Sequence, residues 1–128
     1  MLSFLRSRSR SFRYAFEGWW YVIRTQQNAW IHAVVSFIVV LLGLWLDLPQ
    51  RDWAVIILAI AMVWGAEFFN TALEAIVDLA SPEMNHLAKI GKDVGAAAVL
   101  IAAGASIIIG FLILGPPFFE KIPFVLGD

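Results

Sequence analysis

The chain has 128 residues, of which 61% are hydrophobic, and its mean hydropathy of +0.80 is higher than a soluble domain of this size normally shows. It contains no cysteine, which excludes a disulfide framework and a thiolate metal site. The net charge is only −1, so the distribution of charged residues along the chain is more informative than their sum.

The first part of the chain predicts a basic arm followed by a surface helix. The arm is residues 1–10, in which arginine alternates with serine from Arg6 to Arg10, a pattern that favours a flexible segment that meets anionic lipid. Residues 11–28 predict an amphipathic helix lying in the membrane surface, because large apolar side chains share one face: Phe12, Phe16, Trp19 and Ile23. A helix packed on other protein is the alternative. Residues 3–27 carry arginines and lack a clean apolar core, so we expect no cleavable signal peptide.

Three long apolar stretches follow, and a membrane-spanning helix needs about 20 such residues. They predict three transmembrane helices and a short interfacial tail, at residues 30–48, 53–80, 93–115 and 116–128. The second helix would be roughly 42 Å long, which exceeds the hydrocarbon thickness, so its polar end should emerge into the headgroups. Proline is expected to end the second helix at Pro82 and the third at Pro116.

Charge placement predicts the orientation. Most of the nine basic residues precede the first span or lie between the second and third: Arg6, Arg8, Arg10, Arg13, Arg24, Lys89 and Lys92. By the positive-inside rule, the N-terminus and the loop at 81–93 face the cytoplasm. We therefore expect a multi-pass protein of the inner (cytoplasmic) cell membrane.

The second span ends in a polar stripe formed by Glu67, Asn70, Glu74 and Asp78. At about 100° per residue these four side chains project within a narrow arc, with Thr71 beside them. Carboxylates at membrane depth are costly, which favours a functional reading. Each member also has a structural alternative: Asn70 and Thr71 could bond neighbouring helices, and Asp78 could simply be solvated.

The spacing within the stripe indicates that Glu67 and Glu74 have different roles. Glu67 and Glu74 are about 10 Å apart along the helix axis, too far for one shared metal ion. Phosphoryl transfer to a lipid hydroxyl needs a base for the hydroxyl and a cation for the phosphates. Lys92 could contact a phosphate, or form a structural ion pair with a glutamate, and Asp93 could cap a helix. No P-loop or protein-kinase motif is present.

Small residues recur every four positions on the third span, at Ala98, Ala102, Ser106 and Gly110. Such a face permits close approach of another helix. Because three helices enclose little of a site, we expect a homo-oligomer. His32, near the start of the first span, is expected to be an interfacial hydrogen-bonding residue.

The ordered signature Glu67-Phe-Phe-Asn70-Thr-Ala-Leu-Glu74-Ala-Ile-Val-Asp78 closely resembles that of the prokaryotic diacylglycerol kinase/undecaprenol kinase family. Further matching segments are Arg10-Ser-Phe-Arg-Tyr-Ala-Phe-Glu-Gly18, Asn28 with Ile31-His32, Ser81-Pro-Glu83 and Ala88-Lys-Ile-Gly-Lys-Asp93. The resemblance covers residues 10–114. It implies an all-α membrane protein, with an N-terminal amphipathic surface helix and three transmembrane helices in a homotrimeric bundle that shares sites at the cytoplasmic interface.

The resemblance also implies an activity and residue roles. The chain would be an ATP-dependent lipid kinase that uses Mg²⁺, with a lipid alcohol, ATP and membrane lipids as partners and no nucleic acid. Glu67 matches the catalytic base, and Glu74 matches a carboxylate that holds Mg²⁺. The nucleotide and active-site network would include further residues, the last three less firmly matched: Asn70, Asp78, Lys92, Asp93, Tyr14, Glu83 and Asn85.

One departure from the family concerns the metal. Relatives usually have glutamate where this chain has Gln26, and arginine where it has Trp30. Gln26 can offer Mg²⁺ a neutral carbonyl oxygen, so weaker cation binding, altered nucleotide use and loss of activity all remain open. The N-terminal motif and the Ser-Pro-Glu loop favour undecaprenol as the acceptor. The alternatives are a diacylglycerol kinase that makes phosphatidic acid, and a non-catalytic relative.

Overall fold

The computed structural model describes residues 2–83 and 85–126, with side chains for residues 10–83 and 85–122. This part of the chain is all helix and loop: α1 (Leu2–Thr25), α2 (Gln27–Trp45), α3 (Gln50–Ala80) and α4 (His86–Leu126). Three of these helices are long and apolar enough to cross a membrane: Gln27–Trp45, Gln50–Ala80 and His86–Ile122. The prediction of an all-α membrane protein with three spans after an N-terminal helix is confirmed.

Several helix boundaries differ from those predicted. The basic arm is part of α1, because arginine is a good helix former and no proline or glycine precedes Gly18. The third spanning helix begins at His86, where the Asn85 side chain caps it, and not at residue 93. Met1, Met84 and the end of the predicted tail at 127–128 lie outside the described residues.

The helix α4 also continues through Pro116 and Pro117, which were expected to end it. Each proline removes one backbone hydrogen bond, but its fixed φ is compatible with a helix. Packing holds the following turn in place. Phe118 contacts the cluster of Leu46, Leu48 and Ile56 at the α2–α3 turn. Lys121 binds the Trp45 carbonyl and the Asp47 carboxylate, the latter at 2.8 Å.

The surface helix α1 docks on α3 close to the polar stripe. The Trp19 ring stacks on Trp64 with centroids 5.5 Å apart, and Val22 and Ile23 form a buried cluster with Ala29 against Trp64 and Phe68. Earlier on the same helix, Phe12 and Phe16 remain exposed. The alternative reading, packing on other protein, therefore holds for the end of α1, and the membrane-surface position of the helix stays a prediction.

The pair α3·α4 forms the most extensive helix–helix interface of the described residues. Small side chains allow the close approach. Ala102 is buried there, and the Ser106 hydroxyl donates to the Ala59 carbonyl at 3.2 Å. Part of the small-residue face on the third span is thus used within the chain. The homotrimer stays a prediction.

Candidate active site

The polar stripe lies on the inner face of α3 and becomes more exposed toward the end of the helix. Glu67 is only 2% exposed and Asn70 8%, Glu74 is half-buried, and the Asp78 side chain is 63% exposed. A helix that crosses from lipid to water would give this gradient. The structure therefore keeps the first acidic group dry and places the last one within reach of a water-soluble ligand.

Glu67 is the deepest charged group that the structure describes. Its Oε1 atom is buried and has no hydrogen-bond partner, and neither has the buried Nε2 of His32, which lies 3.7 Å away on α2. The Thr71 hydroxyl donates to the Glu67 backbone carbonyl at 2.9 Å. The Thr71 hydroxyl thus bonds the backbone of its own helix and not the Glu67 carboxylate, which remains available for chemistry.

Glu74 collects the two side-chain amides that sequence reasoning placed near it. Asn70 Nδ2 donates to Glu74 Oε1 at 2.9 Å, and Gln26 Nε2 approaches Glu74 Oε2 at 3.4 Å. Gln26 can reach because it is the extended residue between α1 and α2, with φ −102° and ψ 115°. Its backbone interrupts the helix, and its side chain contacts a residue of α3 that lies 48 positions later in the sequence.

These three residues offer oxygen atoms of the kind that Mg²⁺ prefers: a carboxylate and two amide carbonyls. Asn70 Oδ1 is buried with no hydrogen-bond partner, so it has a free lone pair for a cation or donor. No group of three or more His, Cys, Asp or Glu side chains among the described residues could hold a metal alone. The donor set fits a cation that is also held by phosphate oxygens, as Mg²⁺ commonly is.

Gly95 permits the close contact between α3 and α4 at the stripe. A Cβ atom at this position would overlap Asn70 Oδ1 and lie 3.1 Å from Leu73 Cδ2. The absence of a side chain at Gly95 therefore lets the backbone of α4 lie against the side chain of Asn70.

The cationic side of the site comes from the first turns of α4. Lys92 Nζ lies 2.5 Å from Asp78 Oδ1, and Lys89 pairs with Asp93 at 2.6 Å. An ion pair of Lys92 was expected as an alternative, but with a glutamate. The helix-cap reading of Asp93 is wrong, because α4 begins seven residues earlier at His86.

The remaining predicted nucleotide contacts lie nearer the surface. Asn85 accepts from the Ala88 backbone N–H at 2.9 Å, so it caps α4 in this structure. Glu83 is exposed in the α3–α4 loop, where its carbonyl accepts from the Ser81 hydroxyl at 2.7 Å. Tyr14 is exposed on α1, at 64%. Nothing in these contacts joins the three residues to the stripe.

An apolar groove of about 640 Å³ runs between α2, α3 and α4. It extends from His32 at one end to Phe118 at the other, between apolar walls that include Val35, Ile60 and Ile107. The groove therefore leads from the α2–α3 turn to His32, which lies near Glu67. Sequence reasoning missed it, although the small residues Ala103, Ser106 and Gly110 on α4 leave the space that forms it.

Comparison with known proteins identifies the family of this chain. The sequence model of the family described as prokaryotic diacylglycerol kinase matches residues 13–114. The chain belongs to this family. It is a multi-pass membrane protein of a family whose described members phosphorylate lipids.

The relatives are named for two different lipid acceptors, diacylglycerol and undecaprenol. A diacylglycerol kinase of Synechocystis is 44% identical over 108 residues, which are 84% of this chain and 62% of that protein. An undecaprenol kinase of Bacillus subtilis is 38% identical over 107 residues, 84% of this chain and 87% of that protein. A diacylglycerol kinase of Escherichia coli K12 is 32% identical over 97 residues, 70% and 80% of the two chains. This chain thus spans less than two thirds of the Synechocystis protein.

The Gly95 contact generates a prediction with a matched control one turn away. Gly95→Ala should push Asn70 out of place, because the new methyl group would overlap its Oδ1, and overpacking of this kind costs about 1–3 kcal/mol. Gly91→Ala meets only Val77 Cγ2 at 3.6 Å, an ordinary contact. We expect Gly95→Ala to lower the melting temperature of the purified protein and Gly91→Ala to leave it unchanged. Equal melting temperatures for the two variants would contradict the close approach.

Proposed function

We propose that this protein transfers the γ-phosphate of ATP to the hydroxyl of a membrane lipid alcohol, with Mg²⁺ as the cation. The observation that carries the proposal is the Glu67 carboxylate. It is 2% exposed, its Oε1 has no hydrogen-bond partner, and it lies 3.7 Å from His32, which lines one end of the apolar groove. A buried carboxylate at membrane depth is expensive and marks a functional site by default.

Glu67 acts as the general base. It accepts the proton of the lipid hydroxyl as the hydroxyl oxygen attacks the γ-phosphorus, the new O–P bond forms, and the bond between the γ-phosphorus and the bridging oxygen breaks. ADP leaves with that oxygen. The hydrocarbon of the lipid lies in the groove, whose walls are apolar and whose inner end is at His32. The exposed apolar face of α1 guides the lipid toward it.

Glu74, Gln26 and Asn70 would hold the cation together with the phosphates. The Glu74 carboxylate supplies the charge, and the amide oxygens of the other two can turn toward the ion, since both amides already contact Glu74. Mg²⁺ bound there would neutralise charge on the phosphates and orient the transferred group. The protein residues keep this position fixed relative to Glu67 because all but Gln26 lie on one rigid helix.

The ion pair with Asp78 holds the Lys92 ammonium group close to the exposed end of the stripe, where the phosphates would bind. Asp93, Tyr14, Glu83 and Asn85 are the outer nucleotide contacts in this proposal. The site lies at the cytoplasmic face, because the basic residues of α1 and the start of α4 favour that side. A homotrimer would complete the site, since one chain leaves the Asp78 end of the stripe and many apolar side chains of its helices exposed.

Undecaprenol is the acceptor that we propose, on the basis of the N-terminal motif and the Ser-Pro-Glu loop. The Bacillus subtilis relative supports this choice, because this chain covers 87% of that protein. The 44% identity to a diacylglycerol kinase favours diacylglycerol as the second candidate. The groove fits either, since it offers only a hydrocarbon path.

The test is phosphorylation of lipid by the purified full-length chain. Protein in lipid nanodiscs with undecaprenol or diacylglycerol would be mixed with Mg²⁺ and ATP that carries a radioactive γ-phosphate. The radioactivity of the extracted lipid would then be measured. Glu67→Gln should lower the rate by roughly 100-fold or more, because it removes the base. Glu120→Gln, an exposed carboxylate near the opposite end of α4, is the control and should leave the rate unchanged. A Glu67→Gln variant with wild-type rate would refute the base.

Gln26→Glu tests how the cation is held. A second carboxylate next to Glu74 adds charge to the oxygen set, so the Mg²⁺ concentration that gives half-maximal activity should fall, by roughly tenfold. The measurement is lipid phosphorylation across a Mg²⁺ titration at fixed ATP. An unchanged titration curve would mean that Gln26 is not part of the cation site.

A further inference from the structure

The buried pair of His32 and Glu67 has no explanation in the packing of the helices. Each side chain brings one polar atom into a dry region, and each of these atoms lacks a partner: Nε2 of His32 and Oε1 of Glu67. Leaving such an atom unpaired costs about 1–3 kcal/mol. The two atoms face each other at 3.7 Å, which exceeds a formed N–H···O bond by about half an ångström.

Small side-chain rotations would close this gap. The His32 side chain is 16% exposed and the Glu67 side chain 2%, so water competes little for either atom. Catalytic hydrogen bonds are often long in unliganded enzymes and shorten in the substrate complex. Trp64 and Phe68, on the same helix as Glu67, pack against the docked end of α1 and carry no charge that would compete for the carboxylate.

We infer that His32 is a positioning residue for Glu67: its Nε2–H donates to Glu67 Oε1 and holds the carboxylate with Oε2 turned to the acceptor hydroxyl. This inference rests on the proposed function, since it assigns a second residue to the same proton transfer. His32 also lines the inner end of the groove, so the residue that orients the base lies where the lipid would arrive.

The alternative is a structural His32 that merely fills space or binds interfacial water. Positioning and packing predict different results for three substitutions. Glutamine places an amide N–H at a reach similar to that of histidine Nε2, asparagine has the same amide on a shorter side chain, and leucine keeps volume without a donor. Only a positioning role depends on the reach of the donor.

Lipid phosphorylation by the three variants in nanodiscs is the first measurement. We expect His32→Leu and His32→Asn to lower kcat by roughly 100-fold, because a small misplacement of a catalytic group has that effect. His32→Gln should retain most of kcat, and KM for ATP should stay unchanged in all three. Equal kcat for the leucine and glutamine variants, or a wild-type kcat for leucine, would overturn the inference.

The second measurement does not depend on activity. The chain has two histidines, and His86 is exposed at the start of α4, so its ring serves as an internal reference. In protein labelled with ¹⁵N in the imidazole rings, Glu67→Gln should shift the Nε2 resonance of His32 and leave His86 unchanged. Glu120→Gln should move neither. An unmoved His32 signal in Glu67→Gln would refute the pairing.

The two measurements separate the failure of this inference from the failure of the proposed function. A wild-type protein without lipid kinase activity would overturn the function and the positioning role together. An active wild type with unresponsive His32 signals would overturn only the role of His32.

Discussion

The site depends on a carboxylate kept away from water inside a helix that crosses a membrane. A buried, unpaired carboxylate is unfavourable in apolar surroundings, so the rest of the structure has to cover it without satisfying it fully. Trp64 and Phe68, which flank Glu67 in sequence, receive the end of α1, and α2 brings His32 to within 3.7 Å of the carboxylate. Each neighbouring element thus contributes cover, and Oε1 is still left without a hydrogen-bond partner.

The same helix carries the site from lipid to water. Exposure rises from Glu67 to Asp78, so the proposed base for a lipid hydroxyl and the proposed contact for a soluble nucleotide lie on one helix. The absence of a Cβ at Gly95 lets α4 approach Asn70, and the first turns of α4 then bring Lys92 to Asp78. In the proposed mechanism, position along one helix separates proton transfer at Glu67 from cation binding at Glu74, without any loop between them.

Most of the fold and the stripe could be predicted from the sequence, because hydrophobic length and helical period are local properties. The signature from Glu67 to Asp78 fixed the family and the shared face. Two kinds of feature could not be read locally. Pro116 was expected to end α4, but tertiary contacts of Phe118 and Lys121 stabilise the helix beyond it. The N-terminal cap of α4 is Asn85, and not Asp93 as the sequence suggested. The groove and the His32–Glu67 pair depend on how separate helices meet, which no periodicity specifies.

The central claim is that Glu67 is retained for chemistry at a cost in stability. Thermal melting of wild type and Glu67→Gln in the same nanodiscs tests this claim most directly, because glutamine keeps the size of the side chain and removes the charge that burial penalises. The account predicts that Glu67→Gln melts at the same temperature as wild type or higher, although its kinase activity is lost. A clearly lower melting temperature would show that the carboxylate holds the fold together, and would contradict the account.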